Sequence, residues 1–231
     1  FLERHGLFPS SDGTQKFLWK IPQGGVIESV LIPDSDRPNG YTSRLTLCVS
    51  SQWGCAMKCS FCLTGDLGFK GHLWASQIAG QIQQVSQTLR KNQRITNIVM
   101  MGMGEPLHNY DQLVVALRTM NHNFALRLSN RKITVSSVGL LPALLRLTEE
   151  IPVNIAISLN ATTEEQRRIV MPITKKYSLK QLLETCLTIT QSPNQKGRRI
   201  TFEYVMMKGF NDSLQDAKRL TEILNGIPSK I

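Results

Sequence analysis

Three of the five cysteines in this 231-residue chain lie within a span of eight residues. Cys55, Cys59 and Cys62 have the spacing C-x3-C-x2-C. Thiolates are soft ligands, and iron–sulfur clusters are held by cysteine thiolates. A structural zinc site would need four ligands at paired spacings, but no second C-x2-C follows, and His72 lies beyond the usual short spacing. The spacing predicts a cluster in which one iron lacks a protein ligand and can bind an external chelator.

A carboxylate flanked by glycine follows the second predicted strand. Gly104 lets the backbone approach a ligand closely, and Glu105 can hold an ammonium group, although a turn that begins a helix is the alternative interpretation. Polar side chains also end the next two predicted strands, at Ser136 and Ser137 and then at Ser158 and Asn160 of the segment Ser158-Leu159-Asn160. Active sites on β/α barrels form where the carboxyl ends of parallel strands meet, so this repeated placement favours one shared site.

The elements that must position these residues alternate regularly from residue 44 onward. Strands are predicted at 45–50, 95–101, 132–136, 153–158 and 199–206. Helices are predicted at 76–89, 111–122, 141–148, 163–168, 178–190 and 213–224. Strands alternating with helices of this length form βαβ units, right-handed crossovers and a parallel sheet. The pattern predicts an α/β fold, a partial (β/α) TIM-like barrel over 44–231, with residues 228–231 approaching a sixth strand.

Residues 1–43 differ from this pattern and are predicted to form a small N-terminal β accessory segment. Strand-like runs occur at 16–21 and 26–32. An exposed loop is expected at 34–42, because this stretch is rich in turn-forming residues. The expected organisation is therefore an accessory segment at 1–43 and a core at 44–231.

The chain carries 27 Lys and Arg against 17 Asp and Glu, a formal net charge of +10. This excess favours a polyanionic partner through phosphate contacts, and a merely soluble basic surface is the alternative. The basic residues fall in separate groups, which suits a folded nucleic acid better than a single tail would. The groups are Arg127, Arg131 and Lys132; Lys175 and Lys176; and Lys196, Arg198 and Arg199.

The sequence also indicates the cellular compartment of the protein and whether the chain is part of a longer one. No apolar run reaches the roughly 20 residues that span a bilayer, and the first residues lack a signal-peptide pattern. We therefore expect a cytoplasmic protein with no membrane partner. Because the chain begins at Phe1 rather than Met, we interpret it as part of something longer.

The cysteine segment at 48–62 closely resembles that of the RlmN/Cfr family of radical S-adenosylmethionine (SAM) RNA adenine methyltransferases. Other segments resemble the same family and occur in its order: 100–107, 133–139, 158–163, 168–173 and 202–212. The Gly-Cys-Ala-x-x-Cys form at 54–59 is the RlmN-like one. The resemblance implies methylation of C2 of an adenine in 23S rRNA and of adenine 37 in tRNA, whereas a Cfr-type enzyme would methylate C8 of the rRNA adenine.

The resemblance also implies the cofactors. A [4Fe–4S] cluster on the three cysteines would chelate SAM, and reduction would split SAM into methionine and a 5′-deoxyadenosyl radical. An electron donor such as flavodoxin is expected as reductant, and the protein is expected to be a monomer. In the family the Gly-Glu-Pro segment contacts the SAM amino group. The candidate SAM contacts are thus Gly104 and Glu105, together with the strand-end residues Ser136, Ser158, Leu159 and Asn160.

Two further residues are catalytic candidates by resemblance. The family methylates a protein cysteine, abstracts hydrogen from that methyl group and then resolves a protein–RNA adduct. Cys48 matches the cysteine that resolves the adduct through a disulfide. Strand alternation places Cys48 on the same face as Thr46 and Ser50. The alternative is that Cys48 is only a small buried hydrophobic residue. Glu28 matches the family's proton acceptor, and the alternative is an ordinary exposed strand glutamate.

The methyl-carrying cysteine of the family lies beyond the sixth strand, and this chain ends before it. Cys186 shares a helical stripe with Leu179, Leu182 and Leu187 and is interpreted as a core residue. We therefore expect a fragment that cannot complete methyl transfer alone. Two other classes stay open: a radical SAM activating enzyme that makes a glycyl radical on a partner protein, and an RNA-binding protein whose cluster is only structural.

Overall fold

The computed structural model describes residues 2–34 and 44–231 of the chain. The strands are, in chain order, β1 Glu3–Pro9, β2 Gln15–Lys20, β3 Val26–Pro33, β4 Leu45–Cys48, β5 Gln52–Trp53, β6 Gly71–His72, β7 Asn97–Met100, β8 Ile133–Ser137, β9 Asn154–Ser158, β10 Ile200–Glu203 and β11 Ser229–Lys230. The α-helices are α1 Leu63–Asp66, α2 Ala75–Ser86, α3 Tyr110–Asn121, α4 Leu141–Glu150, α5 Glu164–Val170, α6 Leu179–Gln191 and α7 Leu214–Ile223. Among the helices of these two ranges, none combines the length and hydrophobicity that a membrane span requires. The predicted loop at 34–42 lies outside the described residues except for Asp34.

Within the described residues, nine strands form one sheet in the order β1-β2-β3-β4-β7-β8-β9-β10-β11, and β5 and β6 form a separate two-stranded ladder. Neighbouring strands from β4 to β11 are parallel, and helices lie between them in the chain. The predicted α/β fold is confirmed. In the described residues the parallel strands follow one another in chain order without reversal, as they do in a (β/α) barrel. Within this part of the chain the strand order does not close on itself, so the barrel is partial.

The N-terminal strands extend the same sheet. β1, β2 and β3 are antiparallel, and β3 pairs with β4, with Val30 opposite Cys48. The sequence indicated β2 and β3 but missed β1. Nearly every residue of β1 is exposed, so its sequence lacks the apolar alternation that marks a half-buried strand.

Alternation along the strands separates the core from the site. In β4, Leu47 is fully buried, whereas Thr46 and Cys48 on the opposite face stay partly exposed. On α6, Cys186 is fully buried among apolar neighbours, as predicted for a core residue. The apolar side chains of the strands pack against the helices, and the polar side chains on the opposite face can line a cavity.

Candidate active site

The three clustered cysteines lie on a loop that begins directly after β5. β5 pairs antiparallel with β6, which holds the two ends of the loop together. The Cys55 N–H donates to the Gly68 carbonyl at 3.2 Å, and the Lys70 N–H donates to the Trp53 carbonyl at 2.9 Å. These bonds close the loop that carries the thiols and hold it against the β5–β6 ladder.

Cys55, Cys59 and Cys62 line one cavity of about 160 Å³ and are free thiols. Burial raises the pKa of Cys55, and burial followed by the two neighbouring thiols raises the pKa of Cys59 to about 12. Such thiols ionise readily only when a metal supplies positive charge. In residues 2–34 and 44–231, no three His, Cys, Asp or Glu side chains are grouped closely enough to hold a single metal ion. The donor set fits an iron–sulfur cluster, in which several irons share the thiolates.

The loop after β7 also lines this cavity. Glu105 is buried there, and its carboxylate accepts hydrogen bonds from the Leu107 N–H at 3.1 Å and the Val138 N–H at 2.9 Å. Burial raises the pKa of Glu105 to about 7. Gly104 has φ +99°, and an added Cβ would lie 2.4 Å from the Gln52 Cβ. Only glycine therefore allows the loop to pack this closely beside the cavity.

Gln52 joins the cysteine loop to the Glu105 loop, and the sequence reasoning did not single it out. Its Oε1 accepts the Glu105 N–H at 2.8 Å. Its Nε2 lies 3.1 Å from His72 Nδ1 and 3.0 Å from His108 Nδ1. Because Gln52 is completely buried, this amide fixes both loops relative to each other. Its place inside the cysteine motif was the available signal, but its partners are distant in the chain.

Three polar side chains from neighbouring strands meet in the wall of the cavity. Ser136 Oγ donates to Glu203 Oε2 at 2.6 Å, and Ser158 Oγ donates to the same oxygen at 3.1 Å. All three residues line the cavity together with the cysteines. The sequence predicted the two serines and missed Glu203. Strand alternation was the available signal, because it places Glu203 on the face of β10 opposite the buried Ile200 and Phe202.

Leu159 and Asn160 lie just behind this wall and are not among the residues that line the cavity. Both are buried. The Leu159 N–H donates to the Glu203 carbonyl at 3.0 Å, and Asn160 Oδ1 accepts the Val205 N–H at 2.8 Å. Asn160 has φ +57°, a left-handed conformation that asparagine tolerates. Their side chains and backbone support the strand ends.

Cys48 and Glu28 lie on neighbouring strands beside the cavity. Since Val30 pairs with Cys48, strand alternation places Glu28 on the same face of the sheet as Cys48. Burial, followed by the charges of Glu203 and Glu28, raises the pKa of Cys48 to about 11. The Glu28 carboxylate is 3.7 Å from Lys16 Nζ and partly exposed. Neither residue is among those lining the cysteine cavity, and Cys48 is a free thiol.

Residues 49–221 match the family model described as the radical SAM superfamily. The chain belongs to the radical SAM superfamily. The match spans the cysteine loop, the Glu105 loop and the strand ends that form the cavity. The cofactors of this superfamily, a [4Fe–4S] cluster and SAM, fit the two kinds of group that line the cavity: three thiols for the cluster, and a carboxylate and hydroxyls for SAM.

Curated relatives extend the likeness beyond the superfamily. The chain is 47% identical over 228 residues to "Dual-specificity RNA methyltransferase RlmN 2" of Myxococcus xanthus, covering 96% of this chain and 58% of that protein. It is 48% identical to "Dual-specificity RNA methyltransferase RlmN" of Pelobacter propionicus, covering 100% of this chain and 62% of that protein. The chain thus spans about three fifths of the length of these relatives.

A solved structure shares the radical SAM fold of this chain. It is a radical SAM methyltransferase from Sphaerobacter thermophilus, which superposes with a TM-score of 0.91 at 36% identity. The alignment covers 99% of this chain and 65% of that protein. The partial barrel and its N-terminal strands therefore recur together in another member of the superfamily.

Proposed function

We propose that this chain is the catalytic core of a radical SAM methyltransferase that modifies C2 of an adenine in 23S rRNA and of adenine 37 in tRNA. One observation carries the proposal: the three clustered thiols, of which Cys55 and Cys59 are buried, share one cavity at the carboxyl ends of parallel strands with the polar group Glu105, Ser136, Ser158 and Glu203. Relatives named as dual-specificity RNA methyltransferases support RNA as the substrate. We further expect a cytoplasmic monomer that receives electrons from a donor such as flavodoxin.

The residues of the cavity divide the work of holding the cofactors. Cys55, Cys59 and Cys62 hold the [4Fe–4S] cluster, which supplies the electron for homolytic cleavage of SAM when bound and reduced. Glu105 is the acceptor for the SAM amino group, because its carboxylate is already oriented by two backbone N–H groups. SAM binding therefore uses groups that the fold positions in advance.

The two serines have a defined donor direction. Ser136 and Ser158 both give their hydroxyl protons to Glu203. Their oxygen lone pairs remain free to accept hydrogen bonds from a ligand hydroxyl. This arrangement favours a ligand that presents donors, such as the ribose of SAM. We place Leu159 and Asn160 as backbone supports of the same wall.

Cys48 and Glu28 are the proposed residues for the RNA steps. A thiol with a pKa of about 11 is protonated at neutral pH, so Cys48 stays unreactive until a proton acceptor approaches. Glu28 lies on the same sheet face and is partly exposed, as a group that receives a proton from a substrate must be. We propose that Glu28 accepts the proton from adenine. Cys48 would then resolve the covalent adduct: its sulfur forms a disulfide with the methyl-carrying cysteine as the bond between that cysteine's sulfur and the transferred carbon breaks.

The deciding experiment uses the complete natural protein, reconstituted anaerobically with SAM, a reductant and either a 23S rRNA fragment or tRNA. Mass spectrometry of the nucleosides should detect C2-methyladenine. Cys48→Ser should instead trap a covalent protein–RNA adduct, whereas Cys186→Ala, a change in the core, should not. C8-methyladenine would identify a Cfr-type enzyme. If 5′-deoxyadenosine formed and no RNA were modified, the proposal would be wrong and an activating enzyme would be favoured.

A further inference from the structure

Another cavity, of about 1290 Å³, lies at the amino ends of the parallel strands. Its walls include Asn97 and Asn154, the first residues of β7 and β9, and Lys132 and Arg199, which directly precede β8 and β10. The cysteine cavity is lined by the opposite ends of the same strands. The two cavities therefore lie at opposite ends of the parallel strands.

The walls of this second cavity are strongly basic. Among the lining residues, eight are Lys or Arg and Asp34 is the acidic one. Within residues 2–34 and 44–231, none of the eight takes part in an ion pair. The eight are Arg44, Arg94, Arg127, Arg131, Lys132, Arg198, Arg199 and Lys230. Two basic groups that are distant in the sequence, around 127–132 and 198–199, thus converge on one surface.

Asn154 holds these two groups together. Its Oδ1 accepts a 2.6 Å hydrogen bond from Arg198 Nη1, and its Nδ2 donates to the Arg131 carbonyl at 2.9 Å. Burial, and then the charge of Arg131, lowers the pKa of Arg198. Like charges held this close together repel one another, and a bound anion would relieve that repulsion.

We propose that this cavity binds the phosphate backbone of an RNA at a distance from the reacting base. Six of the eight cations are arginines, whose planar forks match phosphate oxygens better than ammonium groups do. The described lining holds no aromatic side chain on which a base could stack, so the contacts are to backbone and carry no sequence information. The choice of RNA over another polyanion rests on the proposed function, whereas the existence of an anion-binding site is argued from the structure alone.

The test neutralises three exposed arginines of the cavity in the variant Arg127→Gln/Arg131→Gln/Arg199→Gln. A matched control removes the same charge from exposed lysines outside the cavity: Lys91→Gln/Lys180→Gln/Lys218→Gln. Binding of a fluorescent RNA duplex of about 20 base pairs is followed by anisotropy, with anaerobic holoprotein, between about 50 and 200 mM salt.

If each arginine meets a phosphate, the slope of log K against log salt should fall by about 2 to 3, and affinity near 100 mM salt should weaken roughly 10- to 100-fold. The control should change affinity by less than about threefold. Substituting the same three arginines by lysine keeps the charge and should keep the slope. Formation of 5′-deoxyadenosine without RNA should be the same in all variants, which shows that the cysteine end is intact.

Equal salt slopes for the neutralised and control variants would overturn the proposal. So would a neutralised variant that lost binding of poly-glutamate or inorganic tripolyphosphate while keeping RNA, because the cavity would then serve a protein or a small anion. The slope is measured without methylation. An absent methylation product would therefore contradict the proposed function, and the RNA-binding result would still stand.

Discussion

Ser136 Oγ donates a 2.6 Å hydrogen bond to Glu203 Oε2, although the two residues are 67 positions apart in the chain. The bond joins β8 to β10 across β9, whose Ser158 donates to the same oxygen. One carboxylate thereby ties three strand ends into a single wall of the cavity. The same charge also raises the pKa of Cys48, so it connects the proposed SAM site with the proposed resolving cysteine.

Glu203→Gln should make Cys48 more reactive. Removing a nearby negative charge stabilises the thiolate, so the pKa of Cys48 should fall below its value of about 11. At a fixed alkaline pH below that value, alkylation should run roughly three- to tenfold faster. Peptide mapping by mass spectrometry after timed alkylation isolates Cys48 from the other cysteines. Glu184→Gln, at an exposed position on α6, is the control, and equal rates in the two variants would contradict this connection.

Gly104→Ala should damage the site more than a comparable change elsewhere. Gly226 also has a positive φ, +82°, but an added Cβ would meet nothing within 4 Å. Both variants should lose about 1–2 kcal/mol from the backbone conformation, and Gly104→Ala should lose more because its Cβ would collide with Gln52. Anaerobic urea unfolding measures the difference. Equal losses would show that the Gln52 contact is not tight.

Glu105→Gln should weaken SAM binding and leave cluster loading unchanged. The amide keeps one acceptor oxygen, so one of the two backbone N–H bonds and the negative charge are lost. Loss of a charged acceptor costs about 1.5–3 kcal/mol, which corresponds to a roughly tenfold to 100-fold rise in the SAM dissociation constant. Equilibrium dialysis with labelled SAM measures this. Glu222→Gln on α7 is the control, and an unchanged affinity for Glu105→Gln would remove Glu105 from the proposed SAM site.

Cys59→Ser should abolish the cluster, whereas Cys186→Ala should retain it. Cys59 lines the cysteine cavity, whereas Cys186 lies on the buried face of α6 in the hydrophobic core. The core change should cost about 1 kcal/mol of stability through lost packing. Iron and sulfide analysis after reconstitution distinguishes the two. Full iron content in Cys59→Ser would show that the three cysteines do not form one cluster site.

Local signals in the sequence were sufficient to predict the parallel strands and to single out the three clustered cysteines as candidates. Alternating apolar runs mark buried strands, and three cysteines within one short segment need no distant partner to be noticed. The predicted fifth strand, 199–206, was too long, since β10 ends at Glu203 and Val205 turns away to bond Asn160. The two-residue strands β5 and β6 are too short to show any period.

The sequence did not predict the residues whose role depends on distant partners. Gln52 contacts a loop that follows β7, and Glu203 contacts two other strands. Local patterns could have marked both residues as candidates, but their partners are distant in the chain and meet them only when the sheet forms, so these contacts were not predicted. The basic cavity shows the same limit, because its cations come from separate groups of the chain that only the strand order brings together.

The central claim is that Cys55, Cys59 and Cys62 hold a four-iron cluster with one iron open to SAM. Electron paramagnetic resonance of the anaerobically reduced protein, with and without SAM, tests it most directly. We predict about four irons per chain and a spectrum that changes when SAM is added. Bound zinc in place of iron, or an iron spectrum that is identical with and without SAM, would contradict the account.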